Sequence, residues 1–368
     1  MTRDRSLLLA ARGLRAFGFG FSAVLIGIHL ERRGLAPALI GLTLGIGLAA
    51  ASLSGLAAVA AAARFGRRRA LAAAGVLMAI TGLDLALATQ GWLLIAAGLT
   101  GMLGVASVDL GPFAPVEQGV LTEVATRTGR NVAFARYSLT GGLFNAAGGL
   151  VAGFGSGASA SQGFFLLYAA VGGATAVLPL LMSERVDSRT ASALGALWRP
   201  ELARPLAGLA ALFALDSLGG GLVANAVIAY WLHIRFGAGP QLLGPLFAGI
   251  ALLQAFSFEV SRRLANRFGL INTMVFTHLP SNVLLFFVAL SPTLPWAIGL
   301  LLGRFALSQM DVPARQAYVV SIVPAEDRAA AVALTGAVHG VAQSFGPALA
   351  GSRSERPRSA FRPLPARA

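Results

Sequence analysis

Asp216 and Arg304 are charged residues that lie deep inside long apolar stretches of the chain. A charge at the centre of a bilayer costs ~2.5 to 3.5 kcal/mol on insertion scales, so such residues are candidates for function. If the two stretches face each other across a water-filled space, the carboxylate and the guanidinium can pair there and be separated by a proton or a solute. We therefore predict substrate binding or proton coupling for both residues. For Arg304 that role is to hold an anionic substrate or to pair with Asp216 or Asp311 in a way that changes during transport. The alternatives are a hydrogen bond of Asp216 to Ser217 or a neighbouring backbone group, and a purely structural ion pair of Arg304.

A second group of charges lies where apolar stretches end. Asp109 and Asp311 close two such stretches near one membrane face, where gating and a solvated helix end are alternative roles. Glu117 and Arg315 occupy equivalent positions of a sequence repeat and carry opposite charges, which predicts a gating salt bridge between two halves of the molecule. One exposed bridge contributes only ~0 to 1 kcal/mol, so it would bias a conformational equilibrium only as part of a network.

The repeat is clearest in a short polar hinge, Ala63 to Arg69, which recurs as Asn266 to Gly269. An offset of 203 positions aligns Arg64, Phe65 and Gly66 with Arg267, Phe268 and Gly269, and also Gly34 with Gly237 and Pro37 with Pro240. Further along, an offset of 198 aligns Pro115 with Pro313 and Arg130 with Arg328. Gly and Pro set the backbone shape at helix ends, so this register predicts a duplicated protein.

Other polar residues receive weaker interpretations. Arg12 and Arg15 start the first apolar stretch and are interpreted as snorkelling anchors at the membrane surface, with a role at a cavity mouth as the alternative. Glu259, beside the second hinge, is a speculative source of the carboxylate that the first hinge lacks at Ala63. The four scattered His residues do not form a metal site, and no cofactor is predicted.

The composition is that of a membrane protein. The 368 residues are 56% hydrophobic and 12% charged, with a mean hydropathy of +0.73. All 29 basic residues are Arg, which with the abundant Ala and Gly indicates a GC-rich bacterial coding sequence. The net charge of +14 flanks the apolar stretches, so it indicates membrane topology and not nucleic-acid binding. The absence of Cys excludes thiol chemistry, and the absence of Lys excludes an ATP-binding Walker motif.

A helix needs ~20 apolar residues to cross a bilayer, and the chain has eleven such stretches. Their approximate limits are 9–30, 39–62, 70–88, 92–112, 137–155, 162–182, 206–232, 242–261, 271–290, 294–312 and 330–351. Most arginines fall on the side of the N terminus, which the positive-inside rule places in the cytoplasm, whereas Arg32, Arg33 and Arg235 fall outside. We expect a multi-pass monomer in the inner (plasma) membrane.

The first hinge resembles the signature loop of the major facilitator superfamily, Gly-x-x-x-Asp-Arg-x-Gly-Arg-Arg. Residues Arg64 to Arg68 fill its second half, whereas Ala63 and Val59 replace its Asp and its first Gly. The segment from Gly303-Arg304 to Pro313, followed by Pro324 to Arg328, is similar to the family's Arg-bearing cavity helix and the loop after it. The resemblance implies an all-α fold of two pseudo-symmetric helical bundles, with spans one, four, seven and ten around a central cavity.

The polar linker 183–205 predicts a boundary between a six-helix N-terminal bundle, 1–182, and a C-terminal bundle of five helices, 206–351. Residues 352–368 form an Arg- and Pro-rich tail that is expected to be disordered. The family's twelfth span is missing, and a frameshift or truncation near Gly351 would explain both features.

From the resemblance we predict a secondary active transporter that moves a small organic solute by alternating access, with proton-coupled efflux preferred. Proton-coupled uptake and an inactive truncated fragment are alternatives, and span five lacks the Gly-Pro motif of the family's proton antiporters. A polytopic membrane enzyme would need clustered chemistry such as His-Glu-x-x-His, which the sequence does not contain. The expected partners are the lipid bilayer, the solute and protons, and no nucleic acid.

Overall fold

The computed structural model describes residues 2–105, 111–124, 130–187, 224–308 and 328–348, together with positions 207, 208, 211, 212, 214, 215 and 217. This part of the chain is helical, and six of its helices are long and apolar enough to cross a membrane. The all-α polytopic fold predicted from the composition is confirmed. Asp109, Asp216, Asp311 and Arg315 lie outside the described residues.

The first half of the described chain contributes seven α-helices. They are α1 (Thr2–Arg32), α2 (Pro37–Phe65), α3 (Arg67–Leu87), α4 (Gly91–Leu99), α5 (Phe113–Val124), α6 (Arg130–Val151) and α7 (Ala158–Leu180). Short 3-10 turns follow α6 at Ala152–Phe154 and α7 at Glu184–Asp187. Pro37 begins α2, where its missing N–H has no helical partner to lose.

The second half repeats the helix ends of the first. Its described helices are α8 (Asn225–Phe236), α9 (Pro240–Phe268), α10 (Leu270–Ala289), α11 (Leu294–Ser308) and α12 (Arg328–Gln343). Helices α2 and α9 both contain 29 residues, and their bounds differ by the predicted offset. Gly66 and Gly269, which precede α3 and α10, have φ of +95° and +83°, a conformation that suits glycine. The two pseudo-symmetric halves are therefore confirmed in the helix ends as well as in the sequence.

The fourth predicted span, which we call helix four, is not continuous in the structure. The sequence predicts one continuous span over 92–112, and this is wrong, because α4 ends at Leu99 and residues 100–105 are not helical. Gly101 and Gly104 have φ of +72° and +67°, which ends the helix in the middle of the apolar stretch. The equivalent helix of the second half, α11, continues to Ser308.

The break in helix four is buried, and three of its carbonyl groups have partners. The Tyr168 hydroxyl donates to the Met102 carbonyl oxygen, and the Ser22 hydroxyl donates to that of Leu103 at 2.7 Å. The third carbonyl, on Val105, accepts from a backbone N–H of the second half, as described below. Non-helical backbone is tolerated in a membrane only where protein or water supplies hydrogen-bond partners for its polar groups. The three hydrogen bonds supply such partners here, so the break belongs to the folded structure.

Small residues let the helices approach closely. A Cβ on Gly82 of α3 would lie 2.5 Å from the backbone nitrogen of Ala169 in α7. A Cβ on Gly148 of α6 would collide with the carbonyl oxygen of Phe17 in α1. Helices pack in lipid through such small residues, so α1 lies buried between α6 and α7 in the core of the first half.

We call the end of the molecule at which α1 ends the distal end, and the end that carries Arg64–Arg69 the motif end. The charge rule places Arg33 and Arg235 on the outer side of the membrane. In the structure, both arginines cap helices at the distal end. Arg33 donates to the carbonyl oxygens of Ala86 and Ala88 at the end of α3, at 2.6 and 3.0 Å. Arg235 donates to Ser291 after α10 at 3.4 Å. Ala88 and Ser291 are equivalent under the repeat, so these arginines satisfy helix C-termini.

Candidate functional site

A buried ion pair joins α1 to α5 inside the first half. The two terminal nitrogens of Arg15 each donate to one carboxylate oxygen of Glu117, both at 2.7 Å. The Tyr137 hydroxyl of α6 donates to Glu117 Oε2 at 2.6 Å. The Arg15 and Glu117 side chains are 1% and 2% exposed. Such a bidentate pair is strong in a dry site, and each charge depends on the other for its stability there.

Arg12 lies one turn before Arg15 in the same buried cluster. Its guanidinium carbon is 4.3 Å from the centre of the Tyr137 ring, and the residue is 1% exposed. Gly141 makes the space for it, since a Cβ there would lie 2.6 Å from the guanidinium. The interpretation of Arg12 and Arg15 as snorkelling surface anchors is therefore wrong. Because α1 begins at Thr2, both residues lie more than two turns inside the helix.

Glu117 was expected to bridge the two halves through Arg315. In the structure it is a residue of the first half, because both of its oxygens are held by Arg15 and Tyr137. Arg315 lies outside the described residues, so its own role stays a prediction. Gating by Asp109 and Asp311 stays a prediction for the same reason.

The second half carries its own buried polar groups. Arg304 in α11 is 7% exposed, with its guanidinium carbon 4.9 Å from the centre of the Phe305 ring. Ser217, which is fully buried, shares a hydrogen bond with Nδ1 of His339 in α12. Since Asp216 precedes Ser217 and lies outside the described residues, its pairing with Arg304 stays a prediction.

The two hinges have matching geometry at the motif end. The guanidinium carbon of Arg64 lies 5.2 Å from the Phe65 ring centre, and that of Arg267 lies 5.3 Å from the Phe268 ring centre. In the first hinge Arg67 is buried and Arg68 is half-buried. Arg328 begins α12 at the same end. The structure thus places the hinge residues as the repeat predicts, while their gating role stays a prediction.

The carboxylate at the first hinge comes from an unexpected residue. Asp187, in the 3-10 turn after α7, accepts a hydrogen bond from the backbone N–H of Arg68 at 2.9 Å. Glu259 was the expected source, and its side chain lies outside the described residues.

The two halves are packed together at the distal end. The Val105 carbonyl oxygen accepts from the backbone N–H of Ala226 in α8 at 3.3 Å. His233 Nε2 lies 3.3 Å from a carboxylate oxygen of Glu31. Gly27 packs on Tyr230, and a Cβ on Gly27 would lie 2.7 Å from that of Tyr230. The last two of these contacts join α1 to α8 at the distal end, whereas Val105 belongs to the break after α4.

Comparison with known families decides the class. A model of the Major Facilitator Superfamily matches residues 8–347 of the chain. The chain belongs to the Major Facilitator Superfamily. It is a membrane transporter, and the architecture expected from the hinge and its echo is confirmed.

Three similar proteins place this superfamily member in context. The uncharacterized membrane protein YJR124C of Saccharomyces cerevisiae is 25% identical, over 89% of this chain and 82% of that protein. The nucleoside transporter NupG has a TM-score of 0.75 at 16% identity, covering 95% of this chain and 90% of that one. A D-xylose-proton symporter has a TM-score of 0.69 at 17% identity, covering 94% and 88%. The yeast relative does not support the bacterial origin predicted from arginine usage.

Sequence reasoning missed two residues of this superfamily member's polar sites, Tyr137 and Asp187. Tyr137 lies 20 positions from Glu117, and Asp187 lies 119 positions from Arg68. A signal for Arg12 and Arg15 was present, since two arginines three positions apart lie well inside a helix that begins at Thr2. No local pattern pointed to Asp187.

Proposed function

We propose that this transporter moves a small organic solute by alternating access and couples that movement to protons. The observation that supports it most is the contact between the halves at the distal end, where α1 meets α8 through Glu31–His233 and Gly27–Tyr230. The halves also pack through α6 against α9 and through α2 against α12, and we propose that they rock about a central path between these contacts. With the N terminus in the cytoplasm, we assign the contact at the distal end to the inward-facing state.

The placement of charge supports the same path. The resemblance assigns the cavity to spans one, four, seven and ten, and spans one, seven and ten carry the candidates Arg15, Asp216 and Arg304. Each buried charge costs ~2.5 to 3.5 kcal/mol to insert. In a chain with only 12% charged residues, charges inside these spans are therefore candidates for function.

Coupling is assigned to Asp216 and Arg304. A carboxylate beside a guanidinium stays ionised, and it accepts a proton when a solute or a movement separates the two charges. Asp216→Asn keeps the shape and removes this proton exchange. The variant should bind solute and still exchange it between the two sides, while losing accumulation driven by a pH gradient.

The experiment uses everted and right-side-out vesicles with an imposed pH gradient, and a labelled nucleoside, D-xylose and an organic anion as probes. Gradient-driven flux in the wild type, with loss of that flux and survival of exchange in Asp216→Asn, supports the proposal. Equal gradient-driven flux in both proteins removes Asp216 from coupling. No gradient-driven flux of any probe in the wild type counts against proton coupling of these solutes.

Direction is decided by the same vesicles. We propose efflux, because few charged groups accompany a largely apolar lining, and efflux appears as accumulation in everted vesicles when the lumen is acidic. Accumulation in right-side-out vesicles with acid outside identifies uptake, the alternative. A monomer in the plasma membrane, with its N terminus in the cytoplasm, completes the proposal.

A further inference from the structure

The N-terminus of α3 carries an unfavourable concentration of positive charge. Arg67, Arg68 and Arg69 fill its first turn, where the helix dipole is already positive. The residue before the helix is Gly66, which has no side chain to cap the free N–H groups. The superfamily's motif loop has an Asp three positions earlier, where this chain has Ala63. The loop therefore lacks a carboxylate of its own.

Asp187 brings a carboxylate to this helix end from across the first half. Its Oδ1 accepts the backbone N–H of Arg68 at 2.9 Å, which is the bond of an N-cap acid. Gly66 permits the approach, since a Cβ there would lie 2.9 Å from the same oxygen. Gly66 also has φ of +95°, so a side chain at this position would be strained as well as blocked.

The turn that carries Asp187 is fixed on the first half by apolar contacts. Val186 is 2% exposed and Met182 is 3% exposed, and both pack in one cluster with Leu8 of α1 and Val120 of α5. The packing of this turn therefore holds Asp187 next to the N-terminus of α3.

Polar contacts fix the same turn from two sides. Asp4 of α1 accepts both the backbone N–H and the hydroxyl of Ser183, each at 2.8 Å. Arg68 donates to the carbonyl oxygen of Leu180 at 2.5 Å, and Arg67 lies 3.5 Å from that of Val186. The start of the predicted linker, Ser183 to Asp187, therefore belongs structurally to the first half.

We propose that Asp187 replaces the carboxylate that the motif loop lacks at Ala63, and that it positions Arg67 and Arg68 at the motif end. Asp187 is a positioning residue, because it acts on the transport path through these arginines. This step rests on the proposed transporter function, whereas the positioning itself does not.

Limited trypsin digestion of the purified full chain tests the positioning without a substrate. Arg64 is exposed and serves as the internal reference, while Arg67 is buried in the wild type. Asp187→Ala should raise cleavage after Arg67 and Arg68 about threefold to thirtyfold relative to cleavage after Arg64, the range expected when an N-cap acid is lost. Glu184→Ala, which removes an exposed acid of the same turn, should leave the ratio unchanged. A wild-type ratio in Asp187→Ala overturns the proposal.

Rescue tests whether the two carboxylate positions are interchangeable. Adding Ala63→Asp to Asp187→Ala should return the cleavage ratio to within about threefold of wild type, and should restore gradient-driven flux lost in the single variant. If Asp187→Ala does not fold, Asp187→Asn with and without Ala63→Asp gives the same comparison. Failure of Ala63→Asp to change the ratio, in protein that elutes as one species, overturns the proposal. Absence of gradient-driven flux in the wild type counts against the proposed proton coupling of the probes and leaves the cleavage result standing.

Discussion

Arg15 and Glu117, which are 102 positions apart in the chain, form a bidentate ion pair with both nitrogen–oxygen distances at 2.7 Å. The pair ties α1 to α5 inside the first half. Since both side chains are at most 2% exposed, water does not replace a lost partner. The pair therefore contributes to the stability of the first half.

Removing both partners of this pair should cost less than the sum of the two single losses. Arg15→Met and Glu117→Gln each leave a buried group without its partner, and each should lower the free energy of unfolding by ~3 to 5 kcal/mol. The double variant should lose less than the sum of the two. Unfolding in detergent, followed by the fluorescence of the four Trp residues, measures all three against the exposed-site control Glu184→Gln. Additive losses would show that the two side chains act independently.

The distal contact between the halves offers a test of alternating access. The chain has no Cys, so Gly27→Cys with Tyr230→Cys introduces one pair in an otherwise thiol-free protein. A Cβ on Gly27 would lie 2.7 Å from that of Tyr230, and a disulfide needs ~3.8 Å, so a shift of about 1 Å suffices. Oxidation should lock the distal end closed and stop net flux, and a reductant should restore it. Each single Cys variant is the control. Undiminished flux with the disulfide formed would contradict opening at this end.

The break in helix four should depend on its two glycines. A Cβ on Gly101 would lie 2.7 Å from the backbone nitrogen of Ala51, and φ is +72°. Gly101→Ala should therefore destabilise the protein by ~1 to 3 kcal/mol. Gly173→Ala in helix α7 is the matched control, since nothing lies within 4 Å of its added methyl. That control should be neutral or stabilising by up to ~1 kcal/mol. A loss of stability in the control equal to that of Gly101→Ala would refute the strain argument.

The sequence predicted the halves because glycines and prolines mark helix ends. Gly66 and Gly269 recur in a left-handed conformation, and an alignment of the chain with itself finds such pairs. The break after Leu99 could not be predicted in this way. Residues 92–108 are almost entirely apolar or small, and glycine is common inside transmembrane helices.

The polar sites could not be predicted from the sequence, because the residues that form them are distant from one another in the chain. Hydropathy alone does not distinguish an arginine at a membrane surface from one paired inside the bundle, and Glu117 comes from another helix. Asp187 likewise lies in the segment 183–205, which its polar sequence predicts to be a linker. Its role follows from Val186 and Met182, whose burial folds that segment back onto the first half.

The arginines at the distal end should stabilise helix ends in proportion to their contacts. Arg33 reaches two carbonyl oxygens of helix α3 at 2.6 and 3.0 Å, so Arg33→Ala should cost ~1.5 to 3 kcal/mol. Arg235 reaches one carbonyl at 3.4 Å, and Arg235→Ala should cost less than ~1 kcal/mol. Arg33→Lys keeps the charge but loses the planar fork that spans two acceptors, so it should recover only part of the loss. Thermal unfolding of the three variants measures these differences. Full stability in Arg33→Lys would show that charge at the membrane surface, and not helix capping, explains the arginine at this position.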